Sequence, residues 1–393
     1  MAVHITDVQR RARLVERHRL DRTGTTVDEA VGAVLALHSS DPISPYLAVW
    51  ARLPDVTASQ FEAAIYEDRT LWRLHAMRRT LFVVRLADAP MFDGAVGSAI
   101  AAKERARLHS WLAGERSDRS VRQHLAALEK AVMAELADGT PRRTGDLSKA
   151  IPDLQAEITV GSGKWSGRVP MSSRLLYVLA MELKIVRARP AGTWRSSQYH
   201  WVATGAWFER RVEPMDQTGA RLALLERYLA AFGPATAIDI RWWAGWGAKE
   251  TAESLASIAA EPVDLEGGGV GWVAAGDTGF SSRVTSSVAL LPGLDSTPMG
   301  WKERSWFLAD HEKPLFDRNG NIGPTIWVDG RIVGAWGQQA DGRVVTAFLE
   351  PVSARTEKAV AARAVELTTW LDGAIVNPRF PAPLQSELAG RGI

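Results

Sequence analysis

No cysteine occurs in the chain. That excludes disulfide staples and thiolate zinc sites, and it agrees with a reducing compartment. Histidine is sparse and scattered: the eight residues include no pair three or four apart and no His-Glu-x-x-His spacing, so neither a metal site nor a cofactor is expected. A Gly-x-Ser-x-Gly elbow and a dinucleotide fingerprint are also missing. No apolar run reaches the length of a membrane span, and the arginine-rich stretch from Met1 to Arg22 lacks the apolar segment of a signal peptide. These absences lead us to expect a cytoplasmic protein. An excess of charge of either sign is lacking too: the formal net charge is +2, so any nucleic-acid surface must come from local clusters of cations.

What is present is apolar mass. With 46% apolar residues over 393 positions the chain can bury substantial cores, and its length implies about two to four modules. Sixteen tryptophans stand against five tyrosines. Most are expected in cores, although an indole also stacks on bases and wedges into grooves.

Taken in order, Ile5 to Arg19 alternates arginines with Val8, Leu14, Val15 and Leu20, as an amphipathic helix with a solvated cationic face would. Val27 to Leu37 reads as a helix capped by Thr25, Thr26 or Asp28, Pro45 opens a third through Arg52, and Thr57 to Gln60 is a capping pattern for a fourth. Leu71 to Val84 then reads as two short strands around a basic turn. Helices followed by a basic hairpin outline a winged-helix module. The order recurs. Leu86 to Gly114, Ser120 to Leu136, Thr144 to Ile151 and Ser172 to Leu183 read as helices before an arginine-tipped hairpin at Ile185 to Trp201. Within that set the glycine-rich, basic loop Gly161 to Arg168 lacks P-loop spacing. Leu222 to Ile258 with the glycine-rich wing 267–273 makes a third occurrence. From Val288 onward strands dominate, with Asp329-Gly330 as a hairpin turn, and Ala359 to Leu371 is a late helix. The expected fold is therefore α+β: three tandem winged-helix modules over 1–85, 86–210 and 211–285, then a β-barrel-like module over 286–393.

One stretch concentrates chemical groups. Leu37-His38-Ser39-Ser40-Asp41-Pro42 sits between an apolar helix and the apolar run beginning at Pro45, and it brings together an imidazole, two hydroxyls and a carboxylate. The structural alternative is that Ser40 or Asp41 caps the next helix.

This stretch, with Pro45-Tyr46-Leu47-Ala48-Val49-Trp50-Ala51-Arg52, the Met77-Arg78-Arg79-Thr80-Leu81 turn, Leu290-Leu291-Pro292 with Asp295, Met299-Gly300-Trp301-Lys302 and Trp327-Val328-Asp329-Gly330-Arg331, resembles the winged-helix DNA glycosylases of the AlkZ and YcaQ type, from about Asp7 to Leu371. The resemblance implies three winged helices and a carboxyl-terminal β-barrel around a DNA channel. It also implies monofunctional hydrolysis of the N-glycosidic bond of bulky or N7-alkylated purines in double-stranded DNA, some members accepting interstrand crosslinks. A Gln-x-Gln or Gln-x-Asp pair is implied where this chain carries His38-Ser39-Ser40, so both usual catalytic positions differ.

Chemistry assigns roles to the residues present. Alkylation at N7 makes the purine cationic and a good leaving group, leaving the enzyme to orient water and stabilise a cationic sugar. His38 is then the proton acceptor, Ser40 the group that orients water, and Asp41 the charge that favours the transition state. Arg73, Arg78, Arg79, Arg187, Arg189 and Arg195, on two wings, are the candidate phosphate contacts. DNA is the expected partner and a monomer the expected state. A DNA-binding or regulatory protein without catalysis is the competing reading.

Overall fold

The computed structural model describes residues 3–113, 117–161, 163–208, 212–279 and 286–390. The expected module boundaries at 210/211 and 285, the expected helix end at Gly114 and Ser162 of the glycine-rich loop lie outside them. The chain is mixed α/β, built from helices and several small sheets, and it divides into two compact units. One comprises Met1–Leu71, Phe82–Leu86 and Arg221–Ile393; the other comprises Trp72–Leu81 and Ala87–Ala220.

In the first unit the amino-terminal helix Asp7–Arg17 begins at a capping box, Gln9 N–H donating to Thr6 Oγ1 while Thr6 N–H donates back to Gln9 Oε1. Its cationic face departs from expectation by being interior. Arg10 and Arg13 are each 7% exposed. The Arg10 guanidinium lies 4.1 Å from the centre of the Trp306 ring, and Arg13 and Arg17 pair with Asp277. Burial lowers both Arg10 and Arg13 to about 10, and the acids and indole around them make the burial tolerable. Just before this helix, Val3–Ile5 joins Glu261–Leu265 in parallel, extending a sheet that continues through Val270–Val273 to Ala235–Thr236.

The helix expected through Leu37 is Val27–Ala33, capped by Thr26. Leu35 then takes φ 64°, and Leu37–His38 becomes a strand, with Leu37 opposite Val83 and His38 opposite Phe82. Pairing with a neighbouring strand supplies the backbone bonds that another helical turn would have made. Ser44–Trp50, opened by Pro45, is buried along its whole length, and Ala58–Tyr66 starts at the expected Thr57–Gln60 capping box. The chain leaves this unit after Leu71 and returns at Phe82, the strands Leu71–His75 and Leu81–Arg85 being linked by the 3₁₀ turn Met77–Arg79 of the second unit. Toward the carboxyl end, Val288–Leu291, Thr325–Val328, Arg331–Gln338 and Val344–Phe348 form an antiparallel meander in chain order. Its outer strands lie at opposite edges, so no closed barrel forms among the described residues.

The second unit packs the helices Ser98–Ala113, Asp118–Glu135, Thr144–Ala150 and Met171–Met181 with the hairpin Ile185–Pro190 and Tyr199–Ala203. Leucines at helical spacing, Leu125, Leu128, Leu175 and Leu179, meet in its core with Val132 and Leu147. The glycine-rich loop proves to be the tip of a second hairpin, Glu157–Val160 with Gly167–Pro170.

Candidate active site and nucleic-acid contacts

The His38 junction is held by its own backbone and by a strap, residues 292–297, that follows the strand Val288–Leu291. Ser296 Oγ donates to the carbonyl of Ala36, and Ser44 Oγ donates to the carbonyl of Gly293 at 2.7 Å. Beneath them, Arg52 and Asp295 are fully buried and paired in a fork, Nη1 to Oδ2 at 2.9 Å and Nη2 to Oδ1 at 2.8 Å. Arg52 also donates to the Ala48 carbonyl and to Thr297 Oγ1.

His18, 0% exposed, completes this network. Its Nε2 faces the carbonyl of Ala231 at 3.1 Å, which can only accept, so Nε2 carries the hydrogen. Nδ1 therefore accepts from the Thr297 hydroxyl at 2.9 Å, leaving Thr297 Oγ1 to accept from Arg52. Burial and then the Arg52 charge lower His18 to about 3, which keeps the ring neutral. Sequence reasoning did not single out His18 or Thr297 for this role, because nothing in their spacing announces a contact across nearly three hundred residues. Arg52 and Asp295 belonged to the resemblance, and the fold brings the two together as one buried pair.

Within the junction, His38 is half-buried, its ring edge-on to Phe82 at 5.3 Å. Ser40 N–H donates to His38 Nδ1 at 3.4 Å, a long contact in which Nδ1 is the accepting nitrogen. Ser39 is buried and Ser40 half-buried. Asp41 is 7% exposed and accepts from Ile43 N–H and Arg379 N–H, both at 3.1 Å, while Arg379 Nη1 donates to the Ser40 carbonyl. Burial raises the Asp41 carboxyl above its usual range, opposed by those two N–H groups. His38, Ser40 and Asp41 thus share one turn, with Asp41 closing it and tying it to the carboxyl-terminal segment. A cavity of about 20 Å³ adjoins Asp41, Ser44 and Trp336, with room for one water but none for a purine.

The candidate arginines separate into two groups. Arg73 is 2% exposed and lies 4.7 Å from the Tyr199 ring centre; Arg187 lies 4.9 Å from that of Trp201 and is lowered to about 10 by burial. Arg78, Arg79, Arg189 and Arg195 are exposed, with Arg79 3.2 Å from Glu104.

A family model described as DNA glycosylase AlkZ-like matches residues 31–370, a span that contains the junction, both arginine groups and the strap. The chain belongs to the AlkZ-like DNA glycosylase family. The DNA glycosylase AlkZ of Streptomyces sahachiroi has a similar solved structure, with a TM-score of 0.69 over 93% of this chain and 98% of that one. Sequence identity is 19%, so this likeness is one of fold. No curated protein matches the AlkZ-like chain in sequence. Membership makes this a protein of a DNA-repair enzyme family, with DNA as its implied partner. No helix of this AlkZ-like chain, among the described residues, is long and apolar enough to cross a membrane.

Proposed function

We propose that the chain is a monofunctional DNA glycosylase that hydrolyses the N-glycosidic bond of bulky or N7-alkylated purines in damaged double-stranded DNA. The reading is carried by one observation: the family match spans the junction where His38, Ser40 and Asp41 share a single turn. His38 Nδ1 accepts the proton of the attacking water, exchanging its long contact with Ser40 N–H for the stronger partner. Water oxygen bonds to the sugar C1′ while the bond from C1′ to the purine breaks. The electron pair of that bond passes into the base and cancels the charge that alkylation placed there. Ser40 orients the water. Asp41 lies beside the site where positive charge develops on the sugar and favours it.

The same reading takes residues 1–85, 86–210 and 211–285 as winged-helix modules and 286–393 as a β-rich module, acting as a cytoplasmic monomer. Support comes from the recurring order of helices and hairpins. Phosphate contacts are assigned to the exposed Arg78, Arg79, Arg189 and Arg195, with Arg73 and Arg187 stiffening the strands that carry them by packing against Tyr199 and Trp201.

The test is release of base from duplex DNA bearing an N7-alkylguanine, read as strand cleavage after heat or base. Wild type should generate abasic sites, and His38→Ala should lower the rate roughly a hundredfold or more, the usual worth of a positioned base. Equal rates for the two proteins would remove His38 from the mechanism. Retention of one operator sequence with no release from any adduct would instead mark a regulator.

A further inference from the structure

Fifteen of the sixteen tryptophans are buried or half-buried; Trp165 alone is exposed, at 81%. It stands at the tip of the hairpin that precedes the Met171–Met181 helix, and the hairpin is shaped to hold it there. Along the stem Ile158 and Val160 face the core of the unit, 7% and 8% exposed, while Glu157 and Thr159 face outward. The register runs from Glu157 opposite Pro170 to Val160 opposite Gly167. At the tip Gly163–Trp165 forms a 3₁₀ turn closed by Ser166, whose N–H and hydroxyl both donate to the Gly163 carbonyl, at 3.1 and 2.8 Å. Gly161 takes φ +78°, and a Cβ there would collide with the carbonyl oxygen of Trp165. An anchored stem and a turn that requires glycine therefore present a large apolar ring to solvent.

We propose that Trp165 is a DNA-contacting wedge whose indole stacks on a base of the bound duplex. The proposal rests on the reading of this chain as a DNA-binding glycosylase. Charge agrees with it: Lys164 precedes the indole in sequence, and Glu157, the hairpin's one acid, sits at the base, paired with Arg168 at 2.8 Å. Position agrees as well. In winged-helix modules the helix after the turn carries its amino-terminal residues toward base edges. Here that helix begins one residue after the hairpin, and Met171 N–H is tied to the Ala156 carbonyl at 2.8 Å. Yet the helix itself offers little, since only Ser173 along it is exposed. The group available for base contact at this end of the unit is thus the indole at the hairpin tip. Stacking needs only a π-face, so the contact would tolerate any base and would suit a protein that searches for damage rather than for a sequence.

The experiment uses full-length protein and a short duplex carrying 2-aminopurine beside an N7-alkylguanine. Wild type should bind with a rise in 2-aminopurine fluorescence as the stack opens. Trp165→Ala should bind about 5- to 150-fold more weakly, the range expected for one lost base stack, without that rise. Trp165→Phe should retain most of both signals, and all three proteins should melt alike because the site is exposed. If Trp165→Ala matches wild type in affinity and fluorescence, the wedge is overturned while DNA binding stands. If wild type fails to bind the duplex, the underlying DNA reading fails with it.

Discussion

His18 shows how a single side chain reports on the interior around it. Its ring is wedged between Phe232, edge-on at 4.7 Å, and Trp301, stacked at 5.9 Å, with both nitrogens satisfied in only one neutral tautomer. Because the folded chain holds His18 at about 3, the unfolded chain binds a proton near pH 6.5 that the folded chain refuses. Stability from this residue is therefore complete above about pH 6.5 and is lost as the pH falls, at up to ~1.4 kcal/mol per pH unit. Denaturant titrations at pH 7, 6 and 5 should show that decline, and His18→Gln should reduce its slope by about one proton, at the expense of lower stability at pH 7. An unchanged slope in the variant would mean that His18 is protonated in the folded protein. His38, by contrast, is half-buried, its ring edge-on to Phe82 and its Nδ1 facing Ser40 N–H.

Among the elements, the clearest agreement between local sequence and structure lies in turns and caps. Thr57 with Gln60 caps its helix as the pattern predicts, and Asp329-Gly330 turns between Thr325–Val328 and Arg331–Gln338 with φ of 50° and 81°. These are short-range devices whose geometry depends on a few adjacent residues. Gly330 also has a long-range duty, since a Cβ there would lie 2.6 Å from the carbonyl oxygen of Arg11. Gly330→Ala should accordingly cost more than about 1 kcal/mol in denaturant unfolding, through both the left-handed backbone and the close approach. A loss of only a few tenths would show that the amino-terminal helix shifts aside freely. Where elements differ from expectation, long-range pairing is the cause. The helix from Val27 stops early because Leu37 and His38 pair with Val83 and Phe82, and the loop at Gly161 becomes a hairpin because Ile158 and Val160 have a core to face.

For the molecule as a whole, a near-neutral chain can still bind DNA tightly if its exposed cations act together. With Arg78, Arg79, Arg189 and Arg195 each neutralising a phosphate, log affinity should fall against log salt with a slope of about −3 to −4. Arg79→Ala should flatten that slope by about one and weaken binding to all duplexes alike. A slope near zero would exclude a phosphate-tracking surface on these hairpins.

Composition, capping patterns, turn residues and separated motifs were enough to place several helices and turns, to recognise the family and to single out the His38 junction, because each depends on residues close in the chain or on a motif read as a string. The sequence could not tell which arginines face solvent, since Arg10, Arg13 and Arg73 read like any others and are buried against Trp306, Asp277 and Tyr199. Nor did it reveal that His18, Arg52, Asp295 and Thr297 form one network, or that one indole of sixteen remains exposed. Those outcomes depend on which surfaces meet when distant segments pack, and burial, unlike a cap or a turn, is a property of the neighbours rather than of the residue.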